Sequence, residues 1–123
     1  VLGCGKNLSW MANEWIQSRK VAYWGDIDSW GLQILDLARG YCPSITSLMM
    51  DEITIETHSD KMVQEEKFIS PEISRLSQEE RMVFQNLLDH RYPGTRLEQE
   101  KLHQDYILRR LHQWLYSEAN VNV

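Results

Sequence analysis

The chain has 123 residues, 42% hydrophobic and 25% charged, with a formal net charge of −5. This length and balance fit one soluble globular domain with a sizeable core. They exclude a membrane span, since no apolar run reaches about 18 residues, and a globally basic nucleic-acid binder.

The charge is uneven: residues 1–50 carry four basic and four acidic side chains, and residues 51–123 nine basic and fourteen acidic. Any DNA contact must therefore use a local patch, a metal bridge or a partner domain. No signal peptide opens the sequence. Cys4 and Cys42 form no CxxC, so reduced thiols in a cytoplasmic protein are expected. The five tryptophans read as core and helix packing.

Val1-Leu2 reads as the tail of a strand, and Gly3-Cys4-Gly5-Lys6 as a turn rather than a phosphate loop, since the spacing of a Walker or dinucleotide motif is missing. Asn7 or Ser9 caps a helix expected to run to about residue 18. The apolar run over 21–24 reads as a strand covered on both faces. Asp26 and Asp28 follow it in Trp24-Gly25-Asp26-Ile27-Asp28-Ser29-Trp30-Gly31. Ser29 is the expected N-cap of a helix over 30–39, ended by Gly40. Residues 45–50 read as another strand, closed by Asp51-Glu52. This alternation predicts an α/β fold with a mostly parallel sheet flanked by helices.

The stretch 52–70 is polar and unassigned, and Pro71 ends it. Ser77-Gln78-Glu79-Glu80 is a capping box opening a helix to about residue 91. Tyr92-Pro93-Gly94 is a turn. Thr95-Arg96-Leu97-Glu98 reads as a second capping box, opening a helix to residue 116 lined by Leu97, Leu108, Leu111 and Leu115, with Trp114 beside them. Residues 1–116 are expected to form a single domain, with 117–123 a frayed tail.

Residues i and i+2 of a strand share a side, so Asp26 and Asp28 would face the crevice at the carboxyl end of a parallel sheet. Paired carboxylates there suit a hard divalent cation such as Mg²⁺, and hence phosphoryl chemistry. The plain alternative is that they cap the next helix. Asp51 ends the next strand and reads equally as a ligand of a second ion or as a cap. Arg96-Leu97-Glu98-Gln99-Glu100 is dense in ligating groups, although Glu98 also fits the capping box. His58, His90, His103 and His112 show no ligand spacing, and His58 with Asp60 reads as a solvated loop. Lys101, Arg109 and Arg110 read as a solubilising helix face.

Together these segments resemble the Toprim-like domain of the JetD family of Wadjet anti-plasmid proteins. The resemblance is carried by Tyr23-Trp24-Gly25-Asp26-Ile27-Asp28 with Gly31 and Ile34-Leu35, by Ser47-Leu48-Met49-Met50-Asp51 with Thr54, by Leu76-Ser77-Gln78-Glu79-Glu80, and by the RLEQE run at 96–100. It implies a Rossmann-like fold similar to the Toprim domain of the topoisomerase VI A subunit, with a helical C-terminal part. It implies a nuclease that holds Mg²⁺ or Mn²⁺, cuts double-stranded plasmid DNA and works with SMC-type subunits. Asp26 and Asp28 match the family's DxD, and Glu98 and Glu100 its RLEQE segment. The family's first-strand glutamate and upstream winged-helix part have no counterpart, so a missing front, and a crippled isolated piece, are expected.

Two other readings differ in class. A haloacid-dehalogenase-like phosphatase would use Asp26 as nucleophile and Asp28 as general acid. A non-catalytic module would dock or dimerise through Leu111, Trp114 and Leu115.

Overall fold

The computed structural model describes residues 8–65 and 72–121, the last four as backbone only. The Val1-Leu2 strand end, the Gly3-Cys4-Gly5-Lys6 turn and Pro71 lie outside the described residues. Within them the fold is mixed α/β and mostly helical, with one two-stranded parallel sheet. Strand β1 (Ala22–Tyr23) pairs with β2 (Thr46–Ser47) in the register Ala22 to Thr46 and Tyr23 to Ser47. The ladder is closed by Thr46 N–H to Val21 O (3.1 Å) and Leu48 N–H to Tyr23 O (2.8 Å).

Both strands are shorter than their apolar runs predict. After β2 the backbone turns at Met49, which has φ 54. That left-handed residue sends Met49 and Met50 into the core instead of along a ladder.

The first helical segment is also split: a 3₁₀ turn (Ser9–Ala12) precedes α1 (Glu14–Gln17), which Asn13 caps through Trp15 N–H. Helix α2 (Ser29–Tyr41) crosses from β1 to β2. Leu32, Leu35 and Ala38 give it a buried stripe at helical spacing. Its N-cap is Asp28, not the expected Ser29, which lies inside the helix. Gly40 does not end it, and Cys42, a buried free thiol, is the C-cap.

Helix α3 (Glu52–Thr57) follows with Asp51 as N-cap. Helix α4 (Gln78–Leu88) opens with the predicted Ser77/Glu80 capping box. It stops three residues early, because His90 takes a left-handed conformation (φ 54) and Arg91 N–H bonds back to Asn86 O (2.9 Å). This is a Schellman closure with histidine in the usual glycine place.

The second capping box is overturned. Residues 96 and 97 are bridge-paired instead: Val63 pairs with Arg96, and Ile27 with Leu97, both antiparallel. The Thr95 hydroxyl accepts from Glu65 N–H (2.7 Å) rather than capping a helix. Leu97 is fully buried, so tertiary pairing outweighs the local signal. A 3₁₀ turn (Gln99–Lys101) leads to helix α5 (Gln104–Val121), which runs through 117–121, expected to fray. Starting eight residues later than predicted, α5 buries a different side. Tyr106 enters the core, with Ile107, Leu111 and Trp114 packed against it, while Leu108 and Leu115 face solvent.

The tryptophans only partly pack as expected. Trp24 and Trp114 lie against the core, whereas Trp10 and Trp15 are exposed.

Candidate functional site at the acidic turn

The acidic turn is built where β1 ends. Ile27 points into the core and bonds Leu97 in both directions, N–H to O at 2.9 Å and O to N–H at 3.0 Å. In extended backbone its neighbours Asp26 and Asp28 point the other way. Asp28 is 2% exposed. Its Oδ1 accepts from Gly31 N–H (2.6 Å) as the α2 cap, and its Oδ2 accepts from Arg96 Nε–H (2.8 Å). A side chain at position 31 would collide with the Asp26 carbonyl, so glycine lets the turn close against the helix start.

The strand pairing also brings the RLEQE segment onto this turn. Gln99 N–H donates to Asp26 Oδ1 (2.9 Å). Arg96, beyond its bond to Asp28, reaches Glu65 Oε1 through Nη2 (2.9 Å). Glu98 is half-buried and Glu100 exposed beside this contact. Asp51 goes elsewhere: its Oδ1 accepts from Thr54 N–H (3.1 Å) and the Thr54 hydroxyl (2.6 Å), and its Oδ2 from Arg110 Nη2 (2.5 Å). Burial opposes ionisation of Asp51, but Arg110 and Thr54 outweigh it and lower its pKa.

The electrostatics of the turn run the other way. Burial raises the Asp28 pKa, with Asp26 adding to it, against the pull of Gly31 N–H and Arg96. Burial, then the charge of Asp28, raises the Glu65 carboxyl despite Arg96 and the Ser29 hydroxyl. A side-chain hydrogen bond to Glu100 is the main cause raising Glu98, while Glu100 itself is lowered. Burial and the two aspartates push the nearby Tyr23 hydroxyl up as well.

Glu65 was invisible in the sequence, where it sits in an unassigned polar stretch. Its side chain is only 3% exposed, and its Oε2 is buried with no hydrogen-bond partner. The only local sign was its place two residues from Val63 in a stretch of mixed charge, which is too common to single it out. Arg96 was legible as part of RLEQE, but not as the bridge between two carboxylates.

His58 is not in a solvated loop. It is fully buried, with Nδ1 bonded to Thr54 O (2.9 Å) and Nε2 accepting from His103 N–H (3.0 Å). It fastens α3 to the start of α5. Arg110 is likewise an internal bridge, to Asp51 and to the Tyr106 hydroxyl (2.6 Å), rather than a purely solubilising charge.

The carboxylates of the turn have the hard-oxygen chemistry that a divalent cation prefers. Their arrangement does not fit one as it stands. Among the described residues no group of three His, Cys, Asp or Glu side chains is placed to hold a metal ion. Both Asp28 oxygens already have donors, one of them a guanidinium.

A family model described as Wadjet protein JetD, C-terminal, matches residues 1–111. No curated protein matches the chain. Among the described residues no helix is long and apolar enough to cross a membrane. The chain belongs to the Wadjet JetD C-terminal family.

Proposed function

We propose that this chain is the Toprim-like nuclease module of a Wadjet plasmid-defence protein. In this reading it acts on double-stranded DNA in the cytoplasm, beside SMC-type subunits, as a monomer or homodimer, and depends on Mg²⁺ or Mn²⁺. Asp26 and Asp28 are its central acidic groups. Glu98 and Glu100 flank them, and Asp51 is a more distant candidate ligand.

One observation carries the reading. The two segments by which the chain resembles the family, DxD at 26–28 and RLEQE at 96–100, are 68 or more residues apart in sequence, yet they are joined by Arg96 to Asp28 and Gln99 N–H to Asp26. Family membership supplies the Wadjet context. The net charge of −5 leaves most of the phosphate contacts that drive DNA affinity to partners. A dehalogenase-like phosphatase is disfavoured, since Asp28, its general acid, is buried between a helix N-terminus and a guanidinium.

The test is plasmid cleavage by the assembled Wadjet complex carrying Asp26→Asn. The amide keeps the oxygen that Gln99 N–H reaches, so this substitution spares the fold. Loss of cleavage by about a hundredfold or more, the scale on which a catalytic carboxylate counts, supports the reading. Undiminished cleavage would overturn it and favour a docking module, for which the exposed Leu108, Leu115 and Tyr116 of α5 offer a surface.

A further inference from the structure

We propose that the edge where the end of α1 meets α5 is a phosphate-contact surface for duplex DNA, with Arg19 and Lys20 as its cations and the rings of Trp15 and Trp114 as their supports. The inference rests on the reading that the chain works on double-stranded DNA, and it names the face that meets the backbone.

How a cation is held decides how much of its charge is left. Arg39, Arg75, Arg91, Arg96 and Arg110 are held by carboxylates, which offset their charge. Among the described residues Arg19 and Lys20 join no such pair, and both are held by neutral groups. The Arg19 guanidinium lies over the Trp15 ring, 4.6 Å from its centroid. The Lys20 ammonium lies 4.6 Å from the Trp114 ring centroid and donates to the Trp114 carbonyl and to the Ser117 hydroxyl (3.5 Å). An aromatic face attracts a cation without neutralising it. Two neighbouring side chains are thus positioned in advance with their charge still available, which lowers the ordering cost of meeting an anion.

Their surroundings leave that charge nearly unopposed. Residues 8–25 contain one carboxylate, Glu14, and α5 contains none from Tyr106 to Ser117. In a chain of net charge −5, a phosphate on this edge meets more cations than carboxylates. Trp15 is 60% exposed, and Arg19 and Lys20 are exposed beside it, so a large ligand has access. Lys20 precedes β1 and Asp26 follows it, six residues on, a span of about 20 Å at most. Successive phosphates of one strand advance about 3.4 Å along a duplex. A duplex held at Lys20 therefore comes level with the acidic turn within about six steps. The edge supplies a local share of the backbone contacts, and partners supply the rest.

The test is binding of the whole chain to a short labelled duplex, followed by fluorescence anisotropy from about 50 to 200 mM salt. Each phosphate contact adds about 0.9 to the slope of log affinity against log salt. Arg19→Gln/Lys20→Gln should therefore lower that slope by about two and shrink the loss of affinity across this salt range by about tenfold. Arg81→Gln/Arg91→Gln removes the same charge from two other exposed positions and should leave the slope as it is.

An unchanged slope in Arg19→Gln/Lys20→Gln, or an equal fall in both double variants, overturns the proposal. So does a wild-type chain that binds no duplex at the lowest salt. In each case the nuclease reading still stands or falls on plasmid cleavage by the Asp26→Asn complex, so the two failures are told apart. Should the double variant not fold, Arg19→Gln alone, at an exposed position, decides by a slope change of about one.

Discussion

Arg39 and Arg96 each bridge distant segments through buried carboxylates, and the two bridges are built to opposite standards. Arg39, on α2, forms a two-pronged pair with Glu80 of α4, Nη2 lying 2.9 Å from Oε2 and Nη1 against Oε1. It also donates to Ile45 O (3.1 Å) and Arg75 O (2.9 Å). Glu80 further accepts from the Ser47 hydroxyl (2.5 Å) and Ser77 N–H (2.7 Å). Burial opposes ionisation there, but Arg39, Ser47 and Ser77 outweigh it and hold the carboxyl at about 2. At the acidic turn one guanidinium serves two carboxylates, one oxygen has no partner, and both pKa values rise. The first cluster ties α2, β2 and α4 together with its charges satisfied. The second stores unfavourable charge, as functional sites do.

The largest expected effect comes from breaking the satisfied cluster. Arg39→Ala leaves Glu80 charged and buried without its main partner, and removal of one member of such a pair costs about 3–5 kcal/mol. Urea unfolding at neutral pH measures it. A loss below about 1 kcal/mol would show that the Arg39 bridge contributes no more than a surface pair.

Arg96→Gln should cost less, about 1–3 kcal/mol at neutral pH, because Arg96 is partly in water. Its deficit should also respond differently to pH. Both Asp28 and Glu65 have folded-state pKa values above their unfolded ones, so their ionised forms oppose folding at neutral pH. As pH falls through those raised values a proton replaces the missing guanidinium, and the deficit should shrink before the ordinary carboxylate range is reached. A deficit constant from neutral to mildly acidic pH would mean that the two carboxylates do not repel each other.

The wild-type acid limb sharpens the same contrast. Glu80 is depressed from 4.5 to about 2, so its stabilisation is complete above the unfolded value and is lost as pH falls from 4.5 towards 2. Asp28 and Glu65 act in the opposite sense at higher pH. Thermal melts should therefore show little loss from neutral pH down to about 5, where carboxylates begin to titrate, and a steep fall below 4.5, which Arg39→Ala flattens.

How far the sequence reveals this depends on whether a feature is settled locally. The capping box at Ser77 and the apolar stripe of α2 are contained within a few residues, and both stand where the pattern puts them. The apolar run before Asp26-Ile27-Asp28 marks the acidic turn correctly, although only two residues of each run join the ladder. Thr95-Arg96-Leu97-Glu98 carries the same capping pattern as Ser77-Gln78-Glu79-Glu80, and there the pattern fails. Its outcome is decided by Ile27 and Val63, whose backbones claim Leu97 and Arg96, and no local signal reports a partner 33 or 70 residues away. Glu65 is hidden for the same reason, because nothing around it is periodic and its role exists only once Arg96 arrives.

The smallest expected effect separates the cap from the bridge within the satisfied cluster. Ser77 Oγ accepts from Glu80 N–H (3.2 Å), while Ser77 N–H donates to Glu80 Oε1. Ser77→Ala removes the first bond and leaves the second, so the loss should be about 0.5–1 kcal/mol, the lower part of the range for an N-cap. The backbone donor, the Ser47 hydroxyl and Arg39 all still hold the Glu80 carboxylate. The acid limb should therefore keep its position while the whole stability curve drops. If the limb instead moves up towards 4.5, the Ser77 hydroxyl orders Glu80 as well as capping α4, and cap and bridge are one cooperative unit rather than two neighbours.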